Sequence, residues 1–193
     1  MNYLAHLALS GDQEDIIFGN FIGDAVKGKS VFEYKADVKK GILLHRHIDT
    51  FTDQHPVYLA SKRKFYGKVE KLSGVVTDIL YDFLLWECWG EFYSSDTLGF
   101  ITKVYAYLDT RIDQMPIKMQ FIYSHMRKHD WLTSYKDFSG IEMAVNGIGR
   151  RTKLPINAKL FHDTYFENEI LFKEEFLVFY SDLKKSVDDF LVS

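Results

Sequence analysis

Within Gly41–Asp53, read as GILLHRHIDTFTD, two histidines, an arginine and two aspartates are interleaved with apolar residues. Helical spacing puts Gly41, Leu44, Ile48 and Phe51 on one buried stripe. His45 and Asp49 then stack at i,i+4 on its flank, with Thr52 and Asp53 a turn further on. An imidazole beside a carboxylate at the rim of a core offers two groups to a divalent metal; it can equally form a hydrogen bond that only fixes the helix. Asp78 and Asp82 repeat the i,i+4 spacing inside VVTDILYDFLLW, a stretch apolar enough that a buried carboxylate needs a partner, a metal or a proton. Asp82, between Tyr81 and Phe83, is the inward candidate. Asp24 follows Gly19 and Gly23, and on its residues alone serves equally as a ligand or a local cap. His6, alone in an apolar start, reads by itself as a satisfied core residue, and Arg46 and Lys27 are either phosphate-neutralising or simply solvated. A His/Asp donor set suits Mn²⁺, Fe²⁺, Mg²⁺ or Zn²⁺ better than copper or iron–sulfur chemistry.

Helices must position these groups. Only three prolines occur among 193 residues, and no convincing alternating strand pattern, repeat or low-complexity stretch is present, so an all-α fold is expected. The pattern predicts helices over Gln13–Ala25, from about Asp37 to Thr52, and from Pro56 to about Leu72 after a break at His55-Pro56. Further helices are expected over Val75–Trp89, Ser94/Ser95–Arg111, Ile117–Tyr135 and Ser139–Gly147. A break at Leu154-Pro155 then precedes a long Ala158–Leu191 segment.

Length fits one domain spanning 1–193, and 47% apolar with 16% aromatic residues is ample for a core. A net charge of −3 argues against a general nucleic-acid binder. A single cysteine, Cys88, excludes an intrachain disulfide and fits a reducing compartment. Neither a signal peptide nor a membrane span is legible, so a cytoplasmic protein without membrane contact is expected; oligomeric state is not indicated. Zincin and Glu-x-x-His di-iron spacings, the P-loop, Gly-x-Gly-x-x-Gly and Gly-x-Ser-x-Gly are all absent. The His129-Asp130 and His162-Asp163 doublets have no other ligand-type residues clustered around them in sequence.

Taken in order, MNYLAHL, GNFIGDAVKG at 19–28, GILLHRHIDTFTD and TDILYDFLLWECW at 77–89 resemble the acyl carrier protein phosphodiesterase family. The likeness continues more weakly through Trp131-Leu132, Tyr135, Asn146-Gly147 and Arg150-Arg151. His6, Asp24, Lys27, His45, Arg46, Asp49, Thr52, Asp53, Asp78 and Asp82 stand where the family pattern has the same residue types, whereas His47 fills a variable slot. The resemblance implies an HD-phosphohydrolase-like helical bundle that hydrolyses the 4′-phosphopantetheine–serine phosphodiester of holo-acyl carrier protein. It also implies one or two divalent ions, Mn²⁺ first, on Asp24, His45, Asp49 and Asp82. His6 or Asp24 would orient the water, with Lys27, Arg46 and Thr52 toward substrate. Lys62-Arg63-Lys64 and Arg150-Arg151 with Lys153 are candidate surfaces for an acidic carrier protein. Two other readings compete: a metal phosphohydrolase acting on a nucleotide or another small phosphodiester, and a helical carrier-binding module without chemistry.

Overall fold

Two glycines set the closest helix pair in the molecule. In the computed structural model, which describes every residue except Pro155 and, at Glu70, the backbone alone, α2 (Glu14–Ile22) lies directly against α3 (Ala36–Gln54). A Cβ on Gly19 would sit 2.1 Å from the Val38 carbonyl oxygen, and one on Gly41 would sit 2.3 Å from that of Ile16. No side chain fits in either place, so backbone meets backbone and the polar side chains beside the two glycines are brought within bonding distance.

The remaining elements wrap this pair. A short α1 (Tyr3–Ala8) precedes it, and α4 (Pro56–Arg63) turns away from α3 at the expected His55-Pro56 break. The apolar α5 (Ser73–Glu87) runs through the interior, buried from Val76 to Leu85 except at Asp78. Then come α6 (Trp89–Phe92), α7 (Thr97–Asp109), α8 (Ile117–Lys128), α9 (Trp131–Ser134), α10 (Phe138–Thr152), α11 (Ala158–Glu167) and α12 (Glu169–Val192). Phe172, Phe176, Phe179 and Leu183 of α12 close over α3, α4 and α5, and the buried apolar residues join in one cluster. Among the described residues there is no strand, as an all-α fold requires. None of their helices is long and apolar enough to cross a membrane.

Several boundaries differ from the periodic pattern, each for a local reason. Pro56–Leu72 is not one helix: α4 stops at Arg63, and Gly67 at φ 72° turns the chain so that Phe65 and Val69 are buried. Ile117–Tyr135 is interrupted where Asp130 adopts the left-handed conformation, φ 44°, which Asp tolerates better than most residues. The long C-terminal segment breaks at Asn168, whose side-chain nitrogen donates to the Thr164 carbonyl (2.9 Å) and so ends α11. The break expected at Leu154-Pro155 lies partly outside the described residues.

Asp82 explains why α1 exists. A six-residue helix has most of its amide groups unpaired and too few internal bonds to persist alone. Across the core, Asp82 accepts from Leu4 N (2.9 Å) and Ala5 N (3.1 Å), supplying from α5 the cap that Asn2 does not give. Burial pushes the Asp82 carboxyl up to about 7, against the pull of those two N–H groups. Since the folded acid holds its proton above the unfolded value, its charge costs stability progressively as pH rises from about 4 through 7. An Asp82→Asn variant keeps one acceptor and has no charge to bury. Measured by urea unfolding, its stability relative to the parent is expected to rise by about 2 kcal/mol between roughly pH 5 and pH 8. A pH-independent difference would show that Asp82 does not titrate in this range.

Candidate metal centre

His6 of α1, His45 of α3 and Asp49 of α3 converge where α1 crosses the α2–α3 pair. Among the described residues, they are the group of histidine and carboxylate ligand atoms that come within 4.8 Å of one another. His6 Nε2 lies 3.1 Å from one Asp49 oxygen and His45 Nε2 lies 3.2 Å from the other. The rings stack with centroids 4.3 Å apart, and Asp24 approaches His45 Nε2 at 3.7 Å from the turn after α2. Both rings are buried, while Asp49 and Asp24 are 44% and 56% exposed, so the carboxylates form the mouth.

The residue that organises this cluster is Asn20. Its side-chain nitrogen donates to the His6 carbonyl (2.8 Å) and to Ser10 Oγ (2.9 Å); a carbonyl only accepts, which fixes the orientation of the amide. Its oxygen therefore faces the rings, 2.9 Å from His6 Nδ1 and 3.2 Å from His45 Nδ1. A ring that donates Nδ1–H to Asn20 presents the bare Nε2 lone pair to Asp49.

Charge makes the arrangement selective. Burial opposes a charged His45, but the Asp24 and Asp49 carboxylates outweigh it and lift the ring to about 9. Burial and the neighbouring His45 push His6 down. Burial alone would raise Asp49, yet its bonds from His45 and His6 hold it well below the usual carboxylate range. A hydrogen bond from His45 lowers Asp24, with help from the charge of Lys118. A neutral His6 has one N–H for two acceptors: given to Asn20 it leaves a lone pair against Asp49, and given to Asp49 it leaves one against Asn20. Charging both rings would stack two buried cations. A divalent ion held by His6, His45 and Asp49 would remove the conflict, and the nitrogen and oxygen donors fit one.

The other expected site residues are distributed more widely. Asp82, expected among the ligands, lies outside the His6–His45–Asp49 group; it caps α1, fully buried with both oxygens bonded to backbone N–H groups. Thr52, expected toward substrate, is 2% exposed and its hydroxyl has no partner among the described residues. Asp78 takes the Tyr58 hydroxyl (2.7 Å) and lies 3.2 Å from the Met1 amino group, while Asp53 is exposed. Arg46 Nη2 donates to Val26 O (3.0 Å), tethering the turn that carries Asp24 to α3, and Lys27 in that turn is exposed. His47 instead bonds Ser186 Oγ (2.8 Å) and stacks on Phe190, tying α3 to α12. Asn20 was legible only as a polar residue inside Phe18-Gly19-Asn20-Phe21; that such a side chain needs partners was the available signal.

Gly23 bounds the cluster from behind: a Cβ there would lie 2.5 Å from both Cβ and Cγ of His45. Gly23→Ala is expected to displace the His45 ring and lower metal affinity about tenfold, through a residue with no ligand atom of its own. Metal titration would read this, and unchanged affinity would mean the ring's placement is not critical.

A family model described as acyl carrier protein phosphodiesterase matches residues 1–183. A curated relative of that name from Photorhabdus laumondii is 30% identical over 152 residues, 78% of this chain and 77% of its own. The one from Yersinia pestis is 27% identical over 187 residues, 96% of each chain. Another, from Yersinia enterocolitica, is 27% identical over 191 residues, 98% of each. No solved structure matches the chain.

Proposed function

The chain belongs to the acyl carrier protein phosphodiesterase family, and from that premise we propose that it hydrolyses the phosphodiester joining 4′-phosphopantetheine to a serine of holo-acyl carrier protein. The products are apo-carrier protein and free 4′-phosphopantetheine. One observation carries the reading: two imidazoles, each with Nδ1 facing the Asn20 oxygen, present Nε2 to opposite oxygens of Asp49. His6, His45 and Asp49 would hold a divalent ion, Mn²⁺ first, with Asp24 the nearest further carboxylate at 3.7 Å from His45 Nε2. Such an ion supplies Lewis acidity toward a phosphoryl oxygen and a water acidic enough to react near neutral pH.

The chain's own groups do the rest. Asn20 holds both rings in the tautomer that frees Nε2. Asp24, half exposed and kept ionised at the mouth, accepts the proton of the attacking water. This reassigns His6, whose two nitrogens are already committed to Asn20 and Asp49, from water base to ligand. Arg46 has N–H groups beyond the one given to Val26, and with Lys27 it offsets charge developing on the phosphoryl group.

Mass spectrometry of holo-acyl carrier protein incubated with the enzyme and Mn²⁺ tests this directly. Loss of the phosphopantetheine arm, abolished by chelator, is expected. Hydrolysis of an aryl phosphodiester with the arm left intact would assign the centre to another diester.

A further inference from the structure

The His129-Asp130 doublet stands alone in the sequence, but the helix gives His129 a different partner. His125 lies one turn earlier on α8, and the two rings stack with centroids 6.2 Å apart and planes 10° from parallel. His129 N donates to the His125 carbonyl (3.1 Å), so the register that puts both on one face holds to the end of the helix.

The way α8 packs leaves this face to solvent. Met119, Tyr123 and Met126 are its buried residues, and the Tyr123 hydroxyl is anchored on Asp109 (2.7 Å). Ile117, Phe121, His125 and His129 run down the opposite side at four-residue intervals, and all four are exposed. The Phe121 ring meets that of His125 at 4.7 Å and 60°, so His125 is held between Phe121 and His129.

The fold makes no use of either imidazole. Among the described residues, the histidine ion pairs and side-chain hydrogen bonds belong to His6, His45, His47, His55 and His162. Arg127, in the same turn, is taken up by Asp109 at 3.0 Å. Lys128 is exposed and opposes a bound cation only through solvent of high dielectric. The pair also sits at a helix C-terminus, whose unpaired carbonyls carry about half a negative charge and favour a cation.

Two imidazoles at this spacing form a chelate. Helical His-x-x-x-His pairs hold zinc in the zincin motif, and the pair here has the spacing without the zincin glutamate. Once one ring binds, the second meets the ion at high effective concentration, and water completes the shell. Nitrogen donors without a carboxylate suit Cu²⁺, Ni²⁺ or Zn²⁺. Mn²⁺ prefers oxygen and stands at the bottom of the divalent affinity order.

We propose that His125 and His129 form a second metal site, on the surface of α8, which chelates a nitrogen-preferring divalent ion of the Cu²⁺, Ni²⁺ and Zn²⁺ class and passes over Mn²⁺. It stands independently of the buried centre and of the carrier-protein reading.

Equilibrium dialysis of the full chain against Cu²⁺, the tightest-binding ion of the class, tests it. His125→Ala/His129→Ala is expected to bind one equivalent fewer than the parent; any Cu²⁺ taken by the buried centre is common to both. Each single variant is expected to weaken that equivalent at least about tenfold. His162→Ala removes an exposed histidine outside the pair and keeps the parent's stoichiometry. Against Mn²⁺, parent and double variant bind alike. Equal Cu²⁺ binding by parent and double variant overturns the site, and a matching loss in His162→Ala shows adventitious surface binding only. Undiminished affinity in either single variant means that one imidazole suffices, which overturns the chelate. An Mn²⁺ equivalent lost with the pair overturns its selectivity.

Discussion

Replacing Asp49 by Ala is expected to lower kcat/KM on holo-acyl carrier protein by at least about a thousandfold. The reason is the way one carboxylate serves two rings: each oxygen faces a different Nε2, at 3.1 and 3.2 Å, so its loss removes the anion that, among the described residues, the two rings share. Asp24 reaches His45 alone, at 3.7 Å, and does not replace it. Elemental analysis after dialysis against Mn²⁺ should show the metal lost together with activity, while far-UV circular dichroism reports the fold independently. Activity within tenfold of the parent in a metal-free Asp49→Ala protein would sink the proposed centre.

Asn20→Leu should produce the second large effect, on two observables at once. Leucine of similar size leaves two buried Nδ1–H groups without an acceptor and removes a donor from the His6 carbonyl. Stability is expected to fall by about 3 kcal/mol, and metal affinity by 10- to 100-fold, as is typical when the hydrogen bond behind a histidine ligand is removed. Asn20→Asp separates the two roles. Its carboxylate still accepts from both rings, but an oxygen now confronts the His6 carbonyl where an N–H had donated at 2.8 Å. Metal binding is thus expected to survive in the Asp variant while the urea midpoint falls. Equal loss of metal in both variants would mean that Asn20 acts only through packing.

What was legible in the chain follows from how local each feature is. His45 and Asp49 share one helix face, and the i,i+4 spacing alone makes them neighbours. His6 joins them only because α1 crosses the α2–α3 pair, a tertiary event that an isolated histidine in an apolar start does not announce. The family resemblance put it at the site; its residues alone put it in the core. Asp82 is the converse case. A buried carboxylate was rightly taken to need compensation, but the compensation is a pair of backbone N–H groups from α1, and no side-chain pattern displays those. Helices over Val75–Trp89 and from Asp37 to Thr52 were readable because their apolar stripes are long. The breaks at Asp130 and Asn168 were not, since a single polar residue does not interrupt helical periodicity. Asn20 needed α1 and α3 in place before its partners His6, Ser10 and His45 could be seen.

The cap on α1 has a consequence for how the protein comes to life. His6 rides on a helix too short to form unaided, and the group that stabilises it belongs to α5, some eighty residues later in the chain. A nascent chain that has emerged only through α3 carries the His45–Asp49 half of the chelate and lacks the stabilised third donor. On the proposed centre, the third donor would come into place only once the core has closed around α5.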